Sequence, residues 1–351
     1  MDRYIGLDAH SSSCTVAVVG PSGRRLQSKV LETNARVLID FLKSIPRSRH
    51  LCLEEGTHSA WLYDELAPHL DEIVVVGVGR RRGTKSDSVD ALRLAESLRV
   101  GSIERRVYKG LGEWEVLRQL SRAYRMVVRD SVRVQCRIKS LFRSRGIATG
   151  GAKVYRESVR KEWKKKLPVA MHSLAEILYE ELDAIRELQQ RAEKEMLSES
   201  HRHGISRILE TCPGLGPIRI AQLLPVVVTP YRFSSKRAFW SYVGLGIVMR
   251  SSSDWVRAND GRWVRAPVQQ TRGLNRNFNR TLKQVFKGAA TTVIQWAQQD
   301  DPLYQHYRQL LDGGTKPNLA KLTLARQIAS VVLSMWRSEE VYNPSKLKTA
   351  A

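Results

Sequence analysis

Within roughly its first hundred residues the chain alternates short apolar runs with amphipathic stretches, in an order that few folds accept. Arg3–Leu7 and Cys14–Val19 are apolar enough for buried strands. Gly20-Pro21-Ser22-Gly23 marks a turn before a third strand, Leu26–Leu31. Asn34 is placed to cap a helix over Ala35–Ile45. Leu51–Glu55 then reads as strand, Ser59–His69 as helix, Ile73–Val78 as strand and Asp87–Arg99 as helix. A three-strand meander followed by alternating helix and strand predicts an α/β sheet with helices packed on it.

The remainder is helical. Leu117, Leu120, Tyr124, Val127, Val128, Val134, Ile138 and Leu141 recur at helical spacing and predict one long helix over residues 113–145. Arg118, Arg122, Arg125, Arg129, Arg133 and Arg137 fall every three or four residues along it, so they form one basic stripe. A break and a basic run, Lys161–Lys166, precede a second, more acidic helix over Val169–Glu199. Such a pair suits a coiled coil, a dimerisation arm or a plain antiparallel hairpin. Thr211-Cys212-Pro213-Gly214-Leu215-Gly216-Pro217 is a tight turn between two apolar helical segments. Ser251 to Val268 reads as loop or hairpin, and Leu274–Gln298 and Leu319–Trp336 as helix. The expected divisions are 1–108, 109–200 and 201–345.

Charge narrows the partners. Lys and Arg total 58 against 35 Asp and Glu, a formal net charge of +23. That excess favours phosphate-rich partners bound in a salt-sensitive way, without separating DNA, RNA and an anionic membrane surface. No window approaches the roughly 20 apolar residues of a membrane span, and the start lacks a secretory pattern. Cys14, Cys52, Cys136 and Cys212 form no CxxC pair, which argues against zinc and fits a reducing cytoplasm.

Against this basic background Asp8, Glu55, Asp87 and Asp90 stand out. Asp8 and Glu55 end predicted strands, at the sheet edge where ligands of α/β proteins bind. Glu54 and Glu55 are adjacent and point to opposite faces, so at most one joins Asp8. Asp87 and Asp90, three apart on a helix, share a face. Carboxylates brought that close repel one another unless a cation lies between them, and Mg²⁺ takes such oxygen ligands. Two ions roughly 3.5–4 Å apart would serve phosphoryl transfer. Taken singly, each acid also suits a turn or a helix cap. Arg80, Arg81, Arg82 and Lys85 precede the acidic helix and are placed for phosphate contacts. Gly214 and Gly216 bring backbone amides close to a phosphate or serve a plain helix turn. Trp240, Trp255 and Trp263 are expected in the core, with base stacking as their other use.

Three motifs carry a resemblance. Ile5-Gly6-Leu7-Asp8, Glu55-Gly56-Thr57 with Trp61, and Lys85-Ser86-Asp87-Ser88-Val89-Asp90-Ala91-Leu92-Arg93-Leu94-Ala95 resemble the DEDD transposases of the IS110 family. Pro213-Gly214-Leu215-Gly216-Pro217, Tyr242-Val243-Gly244-Leu245 and Arg250-Ser251-Ser252-Ser253 resemble that family's C-terminal transposase domain, so the likeness reaches from the first strand to about Ala290. It implies an RNase H-like (RuvC-like) N-terminal domain, in agreement with the strand order, then a coiled-coil arm and a mostly α domain with a catalytic serine. It further implies Mg²⁺, double-stranded target and donor DNA, and a structured noncoding guide RNA (a bridge or seeker RNA) that pairs with both. It implies a homo-oligomer, at least a dimer and in the family a tetramer, working at the bacterial nucleoid. Carried over by position, Asp8, Glu55, Asp87 and Asp90 take the metal roles. Ser252, eight residues after Gly244, takes that of the nucleophile. The family commonly has Ser-Gly there, whereas this chain offers Ser251, Ser252 and Ser253 in a row, and Ile247 replaces a usual Pro. Three other readings compete. One is a RuvC-type junction nuclease that hydrolyses with water. Another is an actin-like sugar kinase or ATPase, which would need a second Gly-rich phosphate loop that this chain lacks. The third is a non-catalytic RNA-binding protein.

Overall fold

A computed structural model describes residues 1–46, 48–77, 86–103, 106–107, 112–250, 255–265 and 270–347. It falls into two compact units, Met1–Leu111 and Gly112–Ala351. Among the described residues no helix is long and apolar enough to cross a membrane.

The first unit runs β1 (Arg3–Ala9), β2 (Ser13–Val19), β3 (Arg25–Glu32), α1 (Ala35–Ser44), β4 (Arg49–Glu54), α2 (Ser59–Leu66), β5 (Glu72–Val76), α3 (Asp87–Arg99) and β6 (Arg106–Val107). The sheet order is β3-β2-β1-β4-β5-β6. β1, β2 and β3 form an antiparallel meander, β4 and β5 run parallel to β1, and β6 closes the far edge antiparallel to β5. β1 is therefore hydrogen-bonded on both sides. Asn34 caps α1 as predicted, accepting from the amides of Arg36 and Val37 at 3.0 and 3.4 Å.

Strand alternation assigns the two faces. Ile5, Leu7, Leu51, Leu53 and Val75 pack with Leu38, Leu42, Leu62 and Leu66 of α1 and α2. Cys52 and Val74 point the other way and pack with Leu94 and Leu98 of α3. Gly6 lies on the α3 face, where a Cβ would sit 1.8 Å from the Ala91 carbonyl oxygen and 2.7 Å from the Ala95 nitrogen. Only glycine lets β1 and α3 touch backbone to backbone there.

The second unit begins with α4 (Glu115–Arg143), the short α5 (Arg160–Lys164) and α6 (His172–Ser200). An ion pair of 2.7 Å between Arg137 and Glu181, with Tyr124 beside Glu193, sets α4 and α6 antiparallel. Next come α7 (Gly204–Glu210), α8 (Pro217–Val227), α9 (Lys236–Tyr242), β7 (Ile247–Arg250), β8 (Trp255–Arg257), β9 (Trp263–Arg265) and β10 (Gln270–Leu274). The chain finishes with α10 (Arg280–Trp296), α11 (Pro302–Asp312) and α12 (Pro317–Ser338). Their shared core is lined by Leu223, Leu224, Phe239, Phe286, Ile328 and Val332. The helix expected from Leu274 starts six residues later. Residues 270–274 pair with β7 instead, and Asn279 supplies the cap, accepting from the Leu282 amide at 3.1 Å. β8 and β9 pair as a hairpin where the sequence suggested loop or hairpin.

Candidate metal centre

Asp8 is the penultimate residue of β1, only 6 % exposed, and lies on the α3 face two residues beyond Gly6. The close approach that Gly6 allows brings the first residue of α3, Asp87, to the same end of the sheet. His10 follows β1, its amide donating to the Ser13 carbonyl at 2.9 Å as the chain turns into β2. His10 Nε2 lies 3.5 Å from Asp8 Oδ2 and 3.3 Å from Asp87 Oδ2. One donor atom from each of Asp8, His10 and Asp87 falls within 4.8 Å of the others. His10 was not anticipated, although it stands two residues after Asp8, the spacing that keeps side chains on one face of a strand.

Asp90 sits one turn further along α3, largely buried, with Oδ1 3.9 Å from Arg93 Nη1. Both α3 acids occupy the first turn, where the helix dipole favours negative charge. Asp90, Glu54 and Glu55 stand outside the three-residue cluster.

Glu54 and Glu55 stand at the end of β4 and just past it. β4 ends at Glu54, and the register aligns Leu7 with Leu53, so Glu54 comes next to Asp8. Alternation puts Glu54 on the face of Cys52, which is also the face of Asp8. Burial is the main cause that pushes the Cys52 thiol up to about 12, with Glu54 and Glu72 adding to it and Arg106 opposing. Glu55 lies past the strand end and is exposed, its amide donating to the Val76 carbonyl at 2.8 Å. The strand stops one residue earlier than expected, and one residue exchanges the face.

Two carboxylates converging on one point suit a hard ion such as Mg²⁺, and an imidazole beside them also admits Mn²⁺ or other transition ions. The residues present fit such an ion.

The basic stripe divides. Arg122, Arg129, Arg133 and Arg137 are exposed, while Arg118 and Arg125 are half-buried. Arg125 donates to Thr281 Oγ1 of α10, and its guanidinium is held below its ordinary value by burial first and then by Arg129 and Arg122. It braces the helices rather than facing solvent. Arg133 pairs with Asp130 at 2.7 Å. Gly214 has φ +81°, and a Cβ there would lie 2.4 Å from the Ala289 carbonyl oxygen, so it serves helix packing against α10. Gly216 precedes α8 with open space beside it. Trp240 is half-buried as expected, but Trp255 and Trp263 are exposed, contrary to the core placement expected of them. Arg80, Arg81, Arg82, Lys85, Ser251, Ser252 and Ser253 lie outside the described residues.

Two family models match the chain. One, for DEDD transposases of the IS110 type, spans residues 5–145, from the sheet with its carboxylate cluster to the end of α4. The other, for transposases of the IS116/IS110/IS902 family, spans residues 206–305, from α7 into α11. No curated protein matches the sequence. The two matches together define a DNA-processing enzyme, a transposase. The chain belongs to the IS116/IS110/IS902 family of transposases.

Proposed function

We propose that this transposase cuts and exchanges DNA strands through a serine-linked intermediate, directed by a structured noncoding RNA that pairs with target and donor duplexes. The observation that carries this reading is the convergence of Asp8, His10 and Asp87 at one end of β1. The order β3-β2-β1-β4-β5, with a meander followed by two parallel strands, supports an RNase H-like reading of the first unit. The antiparallel α4–α6 pair supports the coiled-coil arm. Asp8 and Asp87, with Glu54 and Asp90 near them, would hold Mg²⁺, which would supply positive charge to a scissile phosphate. Asp8 and Asp87 fix where that phosphate lies, and His10 orients both carboxylates.

Ser252 Oγ attacks the phosphorus, a phosphoserine ester forms, and the displaced strand end leaves as a hydroxyl carrying the serine proton. Carboxylates and serine come from different subunits of at least a dimer, assembled as a tetramer. Arg80, Arg81, Arg82 and Lys85, with the exposed Arg122, Arg129 and Arg133, hold phosphates. Gly216, exposed just before α8, offers its backbone amide to a phosphate. The protein works at the nucleoid of a bacterial cytoplasm.

The test is a reaction of protein, guide RNA, both duplexes and Mg²⁺, resolved on a denaturing gel and by mass spectrometry. A covalent protein–DNA adduct mapped to Ser252, and lost in Ser252→Ala, is the expected result. An adduct on Ser251 or Ser253 moves the nucleophile by one position. Free hydrolysed ends without any adduct point to the RuvC-type nuclease instead.

A second expectation concerns the third acid. Glu54→Gln lowers strand cleavage by on the order of 10²-fold or more, as loss of a charge-stabilising group does. Glu55→Gln changes it by less than roughly tenfold on the same scale. The reverse ranking in a single-turnover assay overturns the register-based choice of Glu54.

A further inference from the structure

The β8–β9 hairpin carries two tryptophans that lie outside every core cluster of the described residues. Trp255 is 60 % exposed and Trp263 68 %. Trp240 behaves differently, donating its indole N–H to the Arg326 carbonyl and to Ser330 Oγ at 3.0 Å each. The hairpin register pairs Trp255 with Arg265, Val256 with Val264 and Arg257 with Trp263. Alternation therefore places Trp255, Arg257 and Trp263 on one face and the two valines on the other. On such a face the tryptophans are diagonal neighbours, about 7–8 Å apart. Arg257 shares the face of the two rings, its Nε donating to the Gly261 carbonyl at 3.2 Å, while Arg262 Nε pairs with Asp260 at 3.0 Å.

Exposed apolar faces rimmed by charge mark binding surfaces. Here the rim is cationic and the formal net charge of the chain is +23. The complementary partner is therefore anionic and presents flat aromatic faces. A duplex hides the faces of its bases, whereas a single strand offers them for stacking on aromatic side chains. An enzyme that processes DNA meets such strands wherever its substrate opens. We propose that the β8–β9 hairpin is a clamp for single-stranded DNA. Trp255 and Trp263 stack on unpaired bases and Arg257 meets the adjoining phosphate.

The test uses the full-length protein without divalent cations, so that no strand is cut. Fluorescence anisotropy compares a labelled oligothymidylate, a DNA duplex of the same length and an oligouridylate. Trp255→Ala and Trp263→Ala are each expected to weaken oligothymidylate binding roughly five- to a hundredfold, the range for losing one base-stacking aromatic. Trp255→Phe and Trp263→Phe retain a stacking ring and most of the affinity. Duplex binding and thermal melting stay near the parental values, since neither residue is in the core. Parental oligothymidylate affinity in both alanine variants overturns the proposal. A loss confined to oligouridylate overturns it in favour of RNA. A change of oligomeric mass in light scattering, with strand binding intact, overturns it in favour of a protein contact. None of these outcomes depends on which serine carries the chemistry.

Discussion

Asp8→Asn is expected to abolish strand cleavage while leaving the protein no less stable. Asp8 is buried at the end of β1, and an oxygen of Asp87 lies within 4.8 Å of one of its own. Without a cation these two acids repel each other. The amide removes that repulsion and keeps the shape of the side chain, which offsets the weaker contact with His10 Nε2 at 3.5 Å. With a cation the balance reverses, because an amide oxygen is a far weaker ligand than a carboxylate. Cleavage should fall by on the order of 10³-fold or more, the scale on which a charge-stabilising group acts.

The melting curve gives a readout independent of turnover. Adding Mg²⁺ raises the parental melting temperature as a ligand of the native state must, by about 2.7 kcal/mol of stability at a hundred times its dissociation constant. In Asp8→Asn that shift disappears. A variant that still cuts at the parental rate, or that Mg²⁺ still stabilises equally, removes Asp8 from the metal-holding role.

Gly6→Ala is expected to be as damaging without touching a ligand. The new methyl group would lie 1.8 Å from the Ala91 carbonyl oxygen and 2.7 Å from the Ala95 nitrogen, both in the backbone of α3. Neither atom can swing aside as a side-chain end would, so the helix as a whole must retreat from β1. Overpacking of this kind costs about 1–3 kcal/mol, and rigid obstacles lie at the upper end. For a unit of this size that lowers the melting temperature by roughly 5–20 °C. The retreat also carries Asp87, the first residue of α3, away from Asp8. A misplacement of about 1 Å is enough to cost on the order of 10²-fold in rate. Gly56→Ala is the control, because nothing lies within 4 Å of the added carbon. Calorimetry together with a cleavage assay decides the matter. Equal stability and activity in Gly6→Ala and Gly56→Ala refutes the contact.

Much of the first unit was legible because its strands are short, apolar and punctuated by turn residues, and Asn34 marks the start of α1. β6, two residues long, carries no period to detect. Glu55 was preferred over Glu54 because Thr57 and Trp61 follow it at the spacing the resemblance implies, and such spacing does not show at which residue β4 ends or which face that residue takes. His10 was missed although its parity with Asp8 was visible. Parity alone does not say that a helix from far along the chain arrives beside it. The stripe of arginines on α4 was readable as a face, but spacing does not tell which members meet Thr281 of α10. Trp255 and Trp263 were expected inside because large aromatic rings usually are. Nothing in a local pattern reveals that a two-stranded hairpin leaves both rings uncovered.

The position of β1 has a consequence for how the enzyme is lost to heat. A strand bonded to neighbours on both edges sheds its amide protons last, because they exchange only when the whole unit opens. Asp8 belongs to that strand, so no local fraying of a rim or loop dismantles its placement first. Loss of the Asp8 placement and the cooperative melting of this unit are then one event.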